Sequence, residues 1–420
     1  MSATDEENFK KDIDFVATVA SRICLYPFYG RPKYKIYCYY FICFLIFFVS
    51  VQQLTALCVY GFKSFLDIVS IAPNIGVSAM SVTKYIKINK NKHIYDSILN
   101  HLRSNMWDVV DKSSHTNLKI LMKYQKVVKF VTLWYAYYVV PLLSIVVTFP
   151  ILIMCYDYNV LGKDLEHRYP FEAWYPFDKI KWYYAAYVWE SLMTALVVCI
   201  YSFSELINVS CIGYICMELR LIGTHLRQLI EPKQIIDLTR SHNVAAVHDI
   251  IKRKLRTIIL KYNILENILS KLDGVLGDIM LVNYTFGSIF ICLTAYTFTV
   301  VDELYSTVRF FFFFISLIIS ILHQCVMGQV ISDHSEGLAG ELYNSEWTYG
   351  DQETKKLVLM FIMRLQKPFQ LTAKKFAAHR ISVLIYYARC TIQKGALIVK
   401  FLCKAGVGNA WPAGRMRPET

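Results

Sequence analysis

The chain has 420 residues, 55% of them hydrophobic, 15% aromatic and only 18% charged, with a formal net charge of +13. Soluble domains carry about 45–50% apolar and about 25% charged residues, so this composition excludes a disordered chain and argues against an ordinary soluble enzyme. A basic nucleic-acid binder needs its cations on one face of a soluble fold. Here they fall between long apolar runs, so nucleic acid is excluded as a partner and the lipid bilayer is read first.

Residues 1–35 begin acidic and lack an early apolar stretch, which reads as a cytoplasmic segment rather than a signal peptide. A spanning helix needs about 20 predominantly apolar residues. The first such run, 36–62, holds no charge between Lys35 and Lys63. The second, 68–83, is short, but Phe65 and Leu66 extend it past Asp67. Pro73 and Asn74 inside it predict a helix that faces protein rather than lipid. The third, 130–156, is uncharged between Lys129 and Asp157.

The loop 157–181 contains Tyr169-Pro170-Phe171-Glu172-Ala173-Trp174-Tyr175-Pro176-Phe177-Asp178. Its prolines and aromatics predict a stiff, ordered loop, either the cap of an outer vestibule or an aromatic belt at the interface. The fourth span, 182–217, carries Glu190 and Glu205. Intramembrane carboxylates point to function by default. Glu190 either faces an outer pocket and tunes amine binding, or both acids sit at a membrane edge and snorkel.

Segment 244–276 places Val247, Ile251, Leu255, Ile258, Tyr262, Leu265, Leu269 and Leu272 at helical spacing, with Lys252, Arg253, Lys254 and Arg256 mostly opposite. This helix is expected to run into the fifth span, 279–301. Its apolar stripe either packs within one subunit or anchors an oligomer. The sixth span, 310–332, opens on five consecutive Phe. Segment 353–363 reads as a helix broken by Lys367-Pro368. After Arg380 the apolar run is only 381–388, and Arg389, Lys394, Lys400 and Lys404 follow. A mid-bilayer Lys or Arg costs about 2.5–3.5 kcal/mol, so a seventh span there needs a wet cavity to line.

Loop charge sets the orientation. Lys plus Arg number 32 in segments 1–35, 84–129, 218–276 and 331–379, against six in the alternate set. The bias places the N-terminus in the cytoplasm, and seven spans then put the C-terminus outside. That is the reverse of a G-protein-coupled receptor, and neither a D-R-Y-like triplet nor N-P-x-x-Y occurs at the expected places.

The twelve cysteines form no C-x-x-C pair and no zinc-like cluster, so no metal is expected, and Cys58 with Cys155 is the one disulfide worth checking. Asn208-Val209-Ser210 and Asn283-Tyr284-Thr285 match the glycosylation acceptor but fall in expected spans. The sequence contains no Walker loop, H-E-x-x-H or G-x-S-x-G, and no catalytic residue or cofactor is expected.

Near the end stand Glu341-Leu342-Tyr343-Asn344-Ser345-Glu346-Trp347, then a basic-apolar helix closing on Gln366-Lys367-Pro368, then Leu371-Thr372-Ala373-Lys374-Lys375-Phe376. With the aromatic loop, including Trp174 and Pro176, these residues resemble the insect odorant receptor family over about 12–378. The resemblance implies an all-α membrane protein, a seven-transmembrane helical bundle. It is divided into a cytoplasmic segment 1–35, helices one to six over 36–330, an anchor and linker over 331–379, and a last span and tail over 380–420. It further implies the ligand-tuning subunit of an odorant-gated, non-selective cation channel. The partners would be a shared odorant coreceptor subunit in a heterotetramer, a small volatile organic ligand and the bilayer of the plasma membrane of olfactory neurons. The chain departs from the family pattern after Phe376, where His379-Arg380-Ile381-Ser382-Val383 replaces a Ser/Leu-rich apolar span. No pore residue is therefore transferred.

A pocket in the outer halves of spans two to six needs apolar walls and a few polar groups. Asn74, Ser144, Thr148, Tyr187, Glu190, Ser191, Thr294 and Tyr296 are the candidates, each weighed against ordinary helix packing. Two other readings stand beside this one. A gustatory-type receptor would favour a T-Y-x-x-x-x-x-Q-F ending, which is absent, and a membrane transporter would favour internal repeats.

Overall fold

The protein is described by a computed structural model covering residues 33–60, 65–104, 115–160, 167–171, 173–239, 244–300 and 304–372, with 10, 11, 18 and 162 besides. These residues are almost entirely helical. In chain order they form α1 (Lys33–Tyr60), α2 (Phe65–Lys90), α3 (Lys92–Ser104), α4 (His115–Asn159) and α5 (Tyr183–Arg227). Then come α6 (Pro232–Thr239), α7 (Val244–Val300), α8 (Leu304–Tyr343) and α9 (Gln352–Leu365). Five helical stretches among the described residues are long and apolar enough to cross a membrane.

The sidedness of α1 shows why a bilayer is needed. Ile42, Ile46, Val49, Gln53 and Ala56 recur every three or four residues and are buried. Tyr37, Phe41, Phe44, Phe47 and Leu54 are exposed between them. An aromatic face that large is a liability in water and matches hydrocarbon.

Helix α2 lies between α1, α5 and α7. Pro73 sits inside it and is buried, as are Ser78 and Ser81. Proline removes one helical hydrogen bond, which neighbouring helices can absorb in a membrane bundle. Here Ser81 Oγ reaches both Val77 O at 2.8 Å and Val197 O at 3.3 Å. The sequence expectation ended this span at residue 83, but the helix continues to Lys90 and Lys84 is fully buried. A charge count stops at the first lysine; the helix does not, because that lysine has a partner inside the bundle.

Helix α5 is the most enclosed element, packing on α2, α4 and α8. From Ser204 onward almost every side chain of α5 is buried. Glu190 and Glu205 are both buried within the bundle rather than snorkelling at an edge. Asn208, Ser210 and Asn283 are buried too, which leaves no room for a glycan.

Helix α7 is one continuous helix of 57 residues, about 86 Å at 1.5 Å per residue and far longer than a bilayer is thick. Its apolar stripe, Ile251, Leu255, Tyr262, Leu265, Leu269 and Leu272, is covered within the chain, while Ile250, Leu260 and Ile264 stay exposed. The cover comes from α3, α6, α8 and α9. Tyr262 lies between Phe361, edge-on at 5.4 Å, and Phe369, stacked at 5.4 Å. Beyond α9 the chain is stitched back. The Phe369 N–H donates to Ser335 Oγ at 3.0 Å, and Thr372 donates to Asp273 through its N–H at 2.6 Å and its hydroxyl at 3.0 Å. Ala373, Phe376 and the expected last span in 380–420 lie outside the described residues.

Candidate functional site

Away from the end that carries α3, α6 and α9, five helices and the loop residues Pro170 and Phe171 line a cavity of about 200 Å³. This is smaller than the roughly 300–1,000 Å³ pockets of drug-sized ligands, so it suits smaller molecules. Its walls are mostly apolar. Helix α1 gives Val49 and Gln53, α2 gives Asn74, Val77 and Met80, and α4 gives Tyr135, Tyr138, Leu142 and Phe149. Helix α5 gives Met193, Val197 and Tyr201, and α8 gives Phe310, Phe313, Leu317 and Ser320. Among the described residues α7 lends none of the lining; its Phe290 instead packs against Gly76 behind the wall.

The loop forms the roof. Pro170 and Phe171 line the cavity, and Phe171 and Ala173 are buried against Val49 and Met193. The Trp174 N–H donates to the Gln52 carbonyl at 3.4 Å, and Trp189 Nε1 donates to Gln52 Oε1 at 3.2 Å. Lys179 Nζ meets Glu190 Oε1 at 3.1 Å and lies over the Tyr169 ring at 3.6 Å and the Tyr175 ring at 5.6 Å. The Tyr175 hydroxyl donates to the same carboxylate oxygen at 3.2 Å. Burial, and then the Glu190 charge, push the Tyr175 hydroxyl well above the ordinary tyrosine range. Two further tyrosines close the loop on itself: Tyr169 donates to Lys179 O at 3.0 Å and Tyr183 to Arg168 O at 3.1 Å.

The floor is a polar layer. Tyr201 and Ser320 line the cavity and their hydroxyls are hydrogen-bonded to each other. One helical turn further on, each helix supplies a buried polar group: Lys84 follows Met80 on α2, Glu205 follows Tyr201 on α5, and Gln324 follows Ser320 on α8. Lys84 Nζ lies 2.5 Å from Glu205 Oε1, and Gln324 Nε2 donates to the same oxygen at 3.0 Å. The Lys84 ammonium also sits 3.1 Å from the centroid of the Tyr201 ring.

The sequence-derived contacts separate against this geometry. Asn74 lines the cavity. Ser144 and Thr148 are exposed on α4 and donate to their own helix, to Val140 O at 2.9 Å and Ser144 O at 2.7 Å. Tyr187 is buried with its hydroxyl donating to Val147 O. Glu190 holds the roof through Lys179, and Ser191, next to it on α5, is half-buried off the lining. Thr294 is buried on α7 and donates to Phe290 O at 2.6 Å. The Tyr296 side chain lies outside the described residues.

Among the family-motif residues, Trp174 docks the roof, while Pro176 is exposed at its turn. Trp347 Nε1 donates to Tyr343 O at 3.2 Å, Gln366 ends α9, and the chain leaves through Lys367 and Pro368 to the Thr372–Asp273 contact. Cys58 and Cys155 are both free thiols. Sequence reasoning missed Tyr201, Ser320 and the aromatic wall of Tyr135 and Tyr138. The available signal was Glu205 itself: a buried acid needs a cation, and Lys84 closes a neighbouring span.

Comparison with known proteins follows the same lines. The family model for the 7tm odorant receptor matches residues 64–391. The chain is 22% identical to "Putative odorant receptor 92a" of Drosophila melanogaster over 74% of this chain and 73% of that protein. It is 31% identical to odorant receptor 85b of the same species over 28% of this chain and 30% of that one. The fold is similar to the olfactory receptor OR5 of Machilis hrabei, solved in complex with eugenol. That match has a TM-score of 0.77 at 14% identity and covers 94% of this chain and 100% of that one. On the span of the family match, this all-helical membrane chain belongs to the 7tm odorant receptor family.

Proposed function

We propose that the chain is the ligand-tuning subunit of an odorant-gated, non-selective cation channel. It would be assembled with a shared coreceptor subunit as a heterotetramer in the plasma membrane of olfactory sensory neurons, at their dendrites. The observation that carries this reading is the mostly apolar cavity of about 200 Å³ between α1, α2, α4, α5 and α8. A small volatile molecule fills such a space and gains about 25 cal/mol for each Å² of apolar surface it buries. The Machilis receptor's complex with eugenol gives a ligand of suitable size as precedent.

The 32-to-six basic bias supports a cytoplasmic N-terminus and puts the roof loop outside. The division into segments 1–35, 36–330, 331–379 and 380–420 follows from the same topology. In this arrangement Asn74 meets the ligand, while Glu190, Tyr187 and Ser191 support its roof and wall. The test is coexpression with the coreceptor and recording of odour-evoked cation current against a panel of volatiles. Surface-expressed protein that passes no current with any volatile would reject the reading. Full-sized currents without the coreceptor would reject the heteromer.

A further inference from the structure

We propose that the Tyr201–Ser320 hydroxyl pair is the polar anchor of the cavity, a hydrogen-bond donor that selects volatiles bearing a carbonyl oxygen. The proposal rests on the ligand-cavity reading above and adds the chemical class of the ligand.

The argument is an accounting of hydrogens. Tyr201 and Ser320 both line the cavity and bond to each other through their hydroxyls. Two hydroxyls hold two hydrogens, and their mutual bond uses one. Whichever oxygen donates, the other hydroxyl keeps a hydrogen to give, because each hydroxyl is one donor with two acceptor lone pairs.

Three other lining hydroxyls are already committed, while Tyr135, Tyr138 and Ser202 also line the cavity and are separated from the pair by the test below. Thr194 donates to Glu190 O at 2.8 Å, Ser316 to Phe313 O at 2.8 Å, and Ser78 to Gln53 Oε1 at 3.1 Å. Arg309 also borders the cavity, but it lies about 16 Å from Ser320 along α8 at 1.5 Å per residue. One small ligand cannot reach both.

The donor is also strengthened from below. The Lys84 ammonium lies under the Tyr201 ring at 3.1 Å, drawing electron density from the ring face. Lys84 is held there by Glu205 at 2.5 Å, and both are buried. Lys84 is thus a positioning residue for the anchor and does not touch the ligand. A ketone, aldehyde or ester accepts the spare hydrogen and asks nothing more of an apolar wall. An alcohol can accept the same hydrogen, but it brings a hydrogen of its own that needs a second, separately placed contact, to a free lone pair of the hydroxyl pair or another lining oxygen, to replace its solvation.

The experiment is equilibrium binding to the full-length chain in lipid nanodiscs. The probes are methyl pentyl ketone, the alcohol obtained by reducing it, and the alkene of the same carbon skeleton. Wild type should bind the ketone most tightly. Tyr201→Phe or Ser320→Ala alone ends the mutual bond and leaves the other hydroxyl a hydrogen to give, so each single variant should keep most of the ketone's advantage over the alkene. Tyr201→Phe combined with Ser320→Ala keeps the ring over Lys84, removes both donors and should lose about tenfold of that advantage, the size of one buried hydrogen bond. Tyr201→Phe combined with Ser320→Cys, which leaves only a weak donor, serves should that double variant fold poorly. The infrared carbonyl stretch of the bound ketone should move to the unbonded frequency in the Tyr201→Phe, Ser320→Ala double variant. Tyr137→Phe, exposed on the outer face of α4 and off the lining, should leave the ketone-to-alkene ratio unchanged.

Equal affinity of wild type for ketone and alkene overturns the anchor while leaving the ligand cavity standing. So does a ketone preference that survives loss of both Tyr201 and Ser320 hydroxyls and is abolished by Tyr138→Phe. Binding of none of the three probes overturns the ligand cavity and the anchor together.

Discussion

Lys84 and Glu205 meet at 2.5 Å in the interior of the bundle, with 0% and 3% of their side chains exposed. Their attraction offsets the desolvation of both ions only while both are present. Lys84→Met therefore leaves a buried carboxylate with Gln324 as its remaining neutral donor. The expected cost is about 3–5 kcal/mol, read as a lower melting temperature in detergent and reduced surface expression. Adding Glu205→Gln removes the orphaned charge and keeps an acceptor for Gln324, so the double variant should regain most of the loss. A Lys84→Met protein that melts like wild type would show that the pair contributes nothing.

The roof rests on a second buried acid. Glu190 is fully buried, and Lys179 reaches it from the loop. Glu190→Gln keeps an acceptor for Tyr175 but gives up the ion pair and weakens the seat of Lys179 over Tyr169. Faster amide hydrogen exchange is expected across 173–182, with α5 beyond residue 200 unchanged. Unaltered exchange in the loop would mean that Phe171 and Trp174 hold the roof without the charge. The Tyr175 hydroxyl is raised, so its part in the closure is complete at neutral pH and is lost only as pH climbs through its elevated value. Roof exchange, once corrected for intrinsic rates, should therefore be flat across the physiological range.

Much of this architecture was readable from charge-free runs and helical spacing. The uncharged stretches fall in α1, α4, α7 and α8, the fourth span was read despite its two acids, and the three-four spacing of Ile251, Leu255 and Leu265 foretold one long α7. Cross-helix pairing could not be read. Hydropathy treats Lys84 as the start of a loop, because it cannot know that Glu205 waits on another helix. The cavity shows the same limit. Ser144 and Thr148 are polar and at suitable depth, yet their hydroxyls are spent on their own helix and face outward. A bias toward polar residues also passed over Tyr138, Met193 and Phe171, which are part of the wall. Spacing tells which residues share a helix face, but only packing tells which faces enclose a space.

Gly76 tests how closely α2 and α7 approach. A Cβ at this position would run into the Phe290 ring, which is itself buried and stacked on Phe286 at 5.8 Å. Gly76→Ala must displace that ring and should cost about 1–3 kcal/mol as overpacking. Phe290→Leu on the same background opens the space and should restore part of the melting temperature. An Ala variant as stable as wild type would mean that the ring swings aside freely. Odour responses should change little, because neither residue lines the cavity.

Asp351 caps α9, its carboxylate accepting from the Thr354 N–H at 3.0 Å. The Thr354 hydroxyl beside it, then that backbone hydrogen bond, with smaller help from His248 and Lys252, hold the carboxyl below its usual value. A depressed carboxylate stabilises the fold at pH above its unfolded value of about 3.9, and the contribution disappears as pH falls through the lower folded value. The group is largely open to solvent, so screening keeps the ionic part small. The cap itself is worth about 1 kcal/mol. Asp351→Ala should thus loosen α9, read as faster exchange of its first-turn amides while Val358, Phe361 and Leu365 keep the helix docked on α7 and α8. Asp351→Asn keeps an oxygen to accept from Thr354 but cannot titrate. Its α9 exchange should match wild type at neutral pH and, once corrected for intrinsic rates, lose the acid-induced rise. An Asn variant that loosens in acid as wild type does would assign that rise to another carboxylate.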